Sequence, residues 1–213
     1  MNNKKNRIHY PYIPTIVIDD FFETPEMVRS FALSQEFFKG DRGHWPGVRT
    51  DFLNNISKEL SDLVQFNILK QLPQFKKFEK FESTFHLSGK NYVKGWVHDD
   101  APDLNIAGFV YMSPNPPENS GTSFFEDGAD VMMANYLQIL KDDVSRSPED
   151  PPVEAFNKYR DEHRSWFKKS LSVDNVFNRA IIFDPRTWHA GDNFFGTTKE
   201  DSRLVLVFFA RAV

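Results

Sequence analysis

Residues 92–113 read YVKGWVHDDAPDLNIAGFVYMS, and this stretch decides the fold. It predicts two β-strands, at 93–98 and 105–112, separated by a turn over Ala101-Pro102-Asp103. His98 ends the first strand, and Asp100 stands two positions later. Since side chains two positions apart in a strand project to the same side, His98 and Asp100 can point at one object.

Further short strands are predicted on both sides of this stretch, each bounded by turn residues. They cover 15–18, 81–87, 122–125, 180–183 and 203–211. In the second of these, Phe81, Phe85 and Leu87 share one parity, and polar residues, including His86, hold the other. Several short strands with regular breaks are typical of an all-β sandwich or a barrel-like core. The predicted class is therefore mainly β.

Helices are predicted as additions to this core. Thr24-Pro25-Glu26 has the pattern of a helix start, with Thr24 as the cap, and residues 56–72 return to helical spacing. A helical insertion is predicted over about 127–176, with helix-like segments at 131–144 and 153–171. The second segment is rich in charge, and we expect its charged face to meet solvent, although a lid over a site is the alternative.

Composition excludes several functional classes. The chain has 213 residues, a length suited to one large domain or two small ones. Its net charge of −4 does not favour broad binding to nucleic acid or anionic membranes. Without cysteine it cannot hold a thiolate metal site, so a metal would need His, Asp and Glu ligands. The longest apolar run, Leu204 to Ala210, is too short to span a membrane, and cytoplasmic residence is the expectation.

His189 follows the predicted strand 180–183 and a turn at Pro185. Two imidazoles and one carboxylate on one side of a metal form the facial triad of non-haem Fe(II) oxygenases. His98, Asp100 and His189 could form such a set. The other four histidines are predicted to be structural or solvent-facing; they are His9, His44, His86 and His163.

The order of motifs along the chain resembles the 2-oxoglutarate- and Fe(II)-dependent oxygenase superfamily, particularly its prolyl-hydroxylase-like branch. The motifs are His98-Asp99-Asp100, residues 106–113, residues 120–125, Trp188-His189-Ala190-Gly191 and Ser202-Arg203-Leu204-Val205-Leu206. The resemblance covers roughly residues 80–213. It implies a double-stranded β-helix, a jelly-roll or cupin-like barrel, in a single domain over 1–213. Residues 1–77 would form an N-terminal α/β support with helices, and residues 78–213 the core that carries the insertion.

The resemblance also implies roles for individual residues. His98, Asp100 and His189 would ligate Fe(II), and Arg203 would bind the distal carboxylate of 2-oxoglutarate. Tyr111 matches a tyrosine that donates to the same carboxylate. Arg203 follows His189 later than is usual in the family, because residues 192–201 form an enlarged loop. Lys199 stands at the usual distance and is the competing anchor.

The implied activity is hydroxylation of a C–H bond with O₂ and 2-oxoglutarate as cosubstrates and succinate and CO₂ as products. By analogy the substrate is a prolyl or other amino-acid side chain, in a peptide, a protein or free form. Related halogenases have a small residue in place of the carboxylate ligand, so Asp100 favours hydroxylation. Trp45 to Arg49 could line the site from the N-terminal part or form a structural turn.

Two other classes remain open at this point. A cupin-like metalloenzyme would share the barrel and the metal without using 2-oxoglutarate, and would not need Arg203 and Tyr111 to converge. A non-catalytic jelly-roll binding module would need no metal and would expose an apolar recognition patch.

Overall fold

The structure, a computed structural model, describes residues 12–39, 46–100, 103–126 and 153–213. In these ranges the chain forms nine β-strands and four α-helices. The strands are β1 Ile16–Ile18, β2 Val48–Arg49, β3 Phe78–Ser88, β4 Ile106–Tyr111, β5 Thr122–Phe125, β6 Lys169–Val173, β7 Ala180–Phe183, β8 His189–Gly191 and β9 Arg203–Ala212. The helices are α1 Pro25–Ser34, α2 Leu53–Ile56, α3 Lys58–Gln71 and α4 Val153–Ser165.

The strands form two antiparallel sheets. The larger has the order β1-β7-β4-β9-β3-β2, and the smaller has the order β6-β5-β8. Non-consecutive strands lie side by side in both, which is the topology of a jelly-roll-like fold. The predicted mainly β class and the barrel-like architecture are confirmed.

Strand β4 shows how the large sheet separates two apolar cores. Its side chains alternate between the two faces of the sheet, and all six residues are buried because both faces are covered. On the helix side, Ile106 and Val110 pack with residues of α1, α2 and α3. On the other side, Ala107, Phe109 and Tyr111 face the small sheet, in a cluster with Phe124, Ile181, Phe183 and Val205. Burial of each such large apolar side chain contributes about 1.5–3 kcal/mol.

The N-terminal part supports the large sheet in two ways. Helix α1 begins at Pro25 after the cap residue Thr24, as predicted, and α3 falls inside the predicted 56–72. Strands β1 and β2 also add to opposite edges of the sheet. Among the helices in the described ranges, none is long and apolar enough to cross a membrane. The division of the chain into one domain with boundaries at 77 and 78 stays a prediction.

The predicted strand at 93–98 is wrong. Residues Lys90–Tyr92 form a single 3₁₀ turn, and Val93 takes a positive φ of 60°, so the chain cannot run as a regular strand there. From this turn the backbone runs beside β8. It is held by a bond from Gly95 N to Gly191 O (2.8 Å) and by an isolated bridge between His98 and His189.

The predicted insertion is shorter than expected on its C-terminal side. The segment at 131–144 lies outside the described residues. The second helix, α4, ends at Ser165, and the residues predicted to continue it instead form β6, which pairs with β5. Serine hydroxyls help to hold this pair, because Ser170 Oγ donates to Phe124 O (3.0 Å) and Ser172 Oγ bonds Ser123 Oγ (3.1 Å).

The expectation of a solvated charged face on α4 is also wrong in part. Arg160 is buried and the Arg164 side chain nearly so, and each donates to backbone carbonyls of residues 92–95. His163 is buried between the rings of Trp96 and Phe167, each with its centroid 5.1 Å away. This face is therefore directed toward the segment that leads to His98.

Candidate active site

The structure brings His98, Asp100 and His189 together at one end of the space between the sheets. His189 is the first residue of β8, and its backbone exchanges two hydrogen bonds with His98 (2.9 and 3.0 Å). Asp100 N donates to Pro185 O (2.7 Å), in the turn before β8. The candidate ligand atoms of the three side chains all lie within 4.8 Å of one another.

Both imidazoles are oriented by backbone carbonyls. His98 Nδ1 donates to Trp96 O, and His189 Nδ1 donates to Thr187 O, each over 2.9 Å. A carbonyl oxygen can only accept, so each Nδ1 carries a proton, and in the neutral form of each ring the free lone pair is on Nε2. Fixing the ring through its second nitrogen is the usual arrangement of metal-binding histidines.

The Asp100 carboxylate lies between the two rings. Its Oδ1 is 3.8 Å from His98 Nε2, and its Oδ2 is 3.7 Å from His189 Nε2. Burial raises the pKa of Asp100 to about 6, while His189 lowers it and Asp99 raises it further. A cation bound between the two imidazoles would stabilise this buried carboxylate in its charged form.

The three residues fit a divalent metal by donor chemistry and by spacing. Ligand atoms about 2.0–2.2 Å from an ion lie about 2.8–3.6 Å from each other at octahedral or tetrahedral angles. The observed separations, 3.7 and 3.8 Å to the two carboxylate oxygens and at most 4.8 Å among the three ligand atoms, are somewhat wider, so the side chains would move inward on an ion. Two nitrogens and one carboxylate would leave the other positions of a six-coordinate ion open.

A cavity of about 410 Å³ extends from these three residues into the barrel. Aromatic and aliphatic side chains form much of its wall, among them Phe109, Phe183 and Phe194. Its polar lining includes Thr122 of β5 and Arg203 of β9. The cavity therefore combines a ligand set with a buried cation in a wall that is partly apolar and partly polar.

Arg203 is the buried cation of this cavity. It is 6% exposed, and its guanidinium carbon lies 5.2 Å from the centre of the Phe194 ring. Burial lowers its pKa, which Tyr111 and Asp192 partly offset, but a guanidinium keeps its charge at neutral pH. No ion pair within the described residues includes Arg203, and its buried Nε has no hydrogen-bond partner there. Such a group is suited to bind an anion that enters the cavity.

Tyr111 lies with its ring next to the Arg203 guanidinium. Its hydroxyl donates to Thr122 Oγ1 (2.9 Å), and its ring centre is 5.5 Å from the Arg203 guanidinium carbon. Burial raises the pKa of Tyr111 to about 12, although Arg203 and Thr122 oppose the shift, so the hydroxyl remains a donor at neutral pH. The structure thus brings Tyr111 and Arg203 together.

Lys199, the competing anchor, points elsewhere. Its ammonium donates to Gln35 O (2.8 Å) and lies 5.0 Å from the centre of the Phe37 ring. It does not line the cavity. The predicted loop at 192–201 lies between β8 and β9, and it places Arg203 rather than Lys199 at the cavity wall.

Sequence reasoning missed one polar part of the wall. His86 and Thr84 line the cavity and bond each other, with 2.8 Å between Nε2 and Oγ1. Arg49 is opposite His86 across β2 and β3 and also lines the cavity. Burial, together with the charges of Arg49 and Arg203, lowers the pKa of His86 to about 3. The alternation of polar and apolar residues in β3 already set Thr84 and His86 on one face of the strand. That face lines the cavity and does not meet solvent.

Comparison with known proteins identifies solved structures with a similar fold. A prolyl hydroxylase of Trichoplax adhaerens, in complex with a peptide fragment of hypoxia inducible factor, has a similar structure (TM-score 0.59, 13% identity, 92% of this chain and 83% of that chain). The carbocyclase SnoK of nogalamycin biosynthesis, a non-heme alpha ketoglutarate dependent enzyme, has a TM-score of 0.55 at 14% identity, over 92% of this chain and 80% of that chain. The collagen prolyl hydroxylase of Paramecium Bursaria Chlorella virus-1, in its 2OG complex, has a TM-score of 0.51 at 14% identity, over 93% of this chain and 96% of that chain.

At these identities the likeness shows a shared fold, and the predicted prolyl-hydroxylase-like architecture is confirmed. No curated protein matches the chain in sequence. Residues 2–195 match the family model described as Family of unknown function (DUF6445). The chain therefore belongs to the DUF6445 family and has the fold of the 2-oxoglutarate- and Fe(II)-dependent oxygenases.

Proposed function

We propose that this protein is an Fe(II)- and 2-oxoglutarate-dependent dioxygenase that hydroxylates a C–H bond. One observation carries the proposal: a single cavity is lined both by His98, Asp100 and His189 and by Arg203, a buried cation that forms no close ion pair in the described residues. A metal and a dicarboxylate could occupy such a cavity together.

In this proposal, each of these side chains binds either the metal or 2-oxoglutarate. His98 and His189 would hold Fe(II) through Nε2, and Asp100 would supply the anionic oxygen. Arg203 would bind the distal carboxylate of 2-oxoglutarate, with the Tyr111 hydroxyl beside it. The bound metal would supply oxidative decarboxylation of 2-oxoglutarate by O₂, one oxygen atom entering succinate and the other the substrate C–H bond, with release of CO₂.

The cavity wall would protect this chemistry from water. Phe109, Phe183 and Phe194 line it, and low polarity strengthens the attraction between Arg203 and a carboxylate. Hydroxylation is favoured over halogenation because a carboxylate, Asp100, stands where the related halogenases have a small residue. Binding, orientation and exclusion of water are therefore the tasks of this chain.

The proposed substrate is an amino-acid side chain, prolyl or other, in a peptide, a protein or free form. The likeness to prolyl hydroxylases supports this class, one of them having a bound peptide fragment. In this protein, Phe38 and Phe52 line the same cavity and are nearly half exposed. These rings would contact a substrate at the mouth of the cavity.

The test is an anaerobic titration of the purified protein with Fe(II) and then with 2-oxoglutarate, followed by visible absorbance. We expect a weak metal-to-ligand charge-transfer band that the His189→Ala variant lacks. If metal binds but no band forms, the proposal fails in favour of a cupin-like metalloenzyme that does not use 2-oxoglutarate. If no metal binds, the non-catalytic binding module is the remaining alternative.

A further inference from the structure

The backbone that leads to His98 is strained. Val93 has φ 60° and ψ −60°, and Lys94 N donates to Tyr92 O over 2.6 Å. These features define a γ-turn of the rare, unfavourable type, and a β-branched residue at its centre adds to the cost. Such a turn persists only where its surroundings hold it.

Helix α4 supplies part of that support through Arg160. Its Nη1 donates to Tyr92 O (2.6 Å) and to Lys94 O (3.0 Å), the carbonyls on either side of Val93. The side chain is 1% exposed, so these bonds are sheltered from water. Because they involve a charged donor, they are stronger than ordinary hydrogen bonds.

Arg164, one turn later, contacts both ligand-bearing segments. Its Nη1 donates to Gly95 O (3.0 Å) and reaches Gly191 O (3.5 Å). Gly95 stands three residues before His98, and Gly191 stands two residues after His189. The two glycines are themselves joined by the bond from Gly95 N to Gly191 O (2.8 Å).

Asp192 fixes the other end of the Arg164 guanidinium. Arg164 Nη2 pairs with Asp192 Oδ1, and Asp192 Oδ2 accepts from Ser123 Oγ of β5 (2.5 Å). The side chains of Arg164 and Asp192 are 13% and 20% exposed. An arginine can bond Asp192 and both carbonyls at once, because its planar guanidinium presents several donors in fixed directions. A lysine ammonium at this position could not reach all three acceptors.

We propose that Arg164, held by Asp192, is a positioning residue that keeps the His98 and His189 segments at the spacing a metal ion requires. The inference rests on the proposed metal site. Arg164 contacts no candidate ligand side chain. It acts through the two carbonyls and through the backbone bonds between the segments.

The experiment measures the affinity of the chelator-treated protein for Co²⁺, an air-stable substitute for Fe(II), by calorimetry and by visible absorbance. The variants are Arg164→Gln, Arg164→Lys and Asp192→Asn. Lys168→Gln is the control, because Lys168 lies just after the same helix, is 77% exposed, and pairs with Glu126. Circular dichroism and the Tm of the metal-free proteins give the fraction of each variant that is folded. Each Co²⁺ affinity is then corrected for that fraction.

We expect Arg164→Gln to weaken Co²⁺ binding about tenfold or more, in the range seen for residues that support metal ligands from behind. Arg164→Lys should recover part of this loss, since an ammonium keeps the charge but cannot span Asp192 and both carbonyls. Asp192→Asn should fall between wild type and Arg164→Gln. Lys168→Gln should bind within about twofold of wild type. Altered Co²⁺ absorption at saturation would be the spectroscopic sign of a changed site.

Folded Arg164→Lys and Asp192→Asn proteins that bind Co²⁺ like wild type, even with a lowered Tm, would overturn the inference and leave only a structural role. These two variants decide the question if Arg164→Gln does not fold. Wild-type protein that fails to bind Co²⁺ would overturn the proposed function as well, so the two failures are distinguishable.

Discussion

Arg203 and Tyr111 meet on neighbouring strands, with 5.5 Å between the guanidinium carbon and the centre of the phenol ring. Strands β9 and β4 are paired, and Tyr111 is opposite Val205, two residues after Arg203. Side chains two positions apart share a face, so both project toward the small sheet. Arg203 lines the cavity, and Tyr111 lies beside it, outside the lining, with its hydroxyl bonded to the cavity residue Thr122.

Removal of the Arg203 charge should abolish tight binding of 2-oxoglutarate. In Arg203→Gln we expect the affinity of the metal-loaded protein for 2-oxoglutarate to fall about a hundredfold, because a charge-assisted, partly desolvated contact is lost. Anaerobic titration of the charge-transfer band measures it. Lys199→Gln is the matched control and should stay within about twofold. The reverse ranking would identify Lys199 as the anchor.

Loss of the Tyr111 hydroxyl should have a smaller effect. Tyr111→Phe removes one neutral donor, so we expect 2-oxoglutarate affinity to fall up to about tenfold and stability to fall by about 1 kcal/mol through the lost bond to Thr122. Titration and thermal unfolding measure the two quantities. A lower Tm with unchanged 2-oxoglutarate affinity would show that Tyr111 is only a core residue.

His86 should make the protein less stable in mild acid. Its folded pKa is about 3, well below the unfolded value near 6.5, so the unfolded chain binds the extra proton first. The contribution of His86 to stability should therefore decrease as pH falls below about 6.5, by about 1–2 kcal/mol between about pH 7 and pH 5, while the raised pKa of Asp100 acts in the opposite direction. Denaturant unfolding of wild type and His86→Gln measures the difference, in which contributions from other groups cancel. Parallel pH profiles would refute the assignment.

Relief of the strained turn should stabilise the metal-free protein. Glycine adopts positive φ without steric cost, so Val93→Gly should raise stability by about 1 kcal/mol after its greater unfolded-state entropy is subtracted. Thermal or denaturant unfolding measures this. Val17→Gly is the contrasting variant, because Val17 lies in β1, is similarly exposed, and should lose stability. Equal losses in both variants would mean that Val93 carries no strain.

Sequence patterns were most informative where both faces of a strand are buried. Strands β5 and β7 have the predicted bounds, since each is a short run containing strand-forming residues such as Thr, Ile and Phe between turn residues. Strands β6 and β8 were missed because they form the edges of the small sheet, one of them exposed and the other only three residues long. Edge strands of this kind have too few buried positions to show a period.

At the site, the candidate ligand residues could be predicted from the sequence, but the arginines that support them could not. The convergence of His98, Asp100 and His189 was predicted from motif order, and the structure brings these side chains together even though the strand predicted to end at His98 is absent. The roles of Arg160 and Arg164 could not be inferred, because a charged helix face has the same pattern whether it meets water or backbone carbonyls. Only the tertiary path of residues 92–95 distinguishes the two.

The backbone bridge between His98 and His189 joins positions 91 residues apart. Closing so long a loop costs entropy, so the two imidazoles meet only after much of the barrel has paired. A metal ion would then bind the folded chain and not the unfolded one, and mass action would shift the balance toward folding. For a protein loaded in this way, iron supply would govern not only turnover but also the abundance of the protein, because chains without the ion would spend longer open to proteolysis.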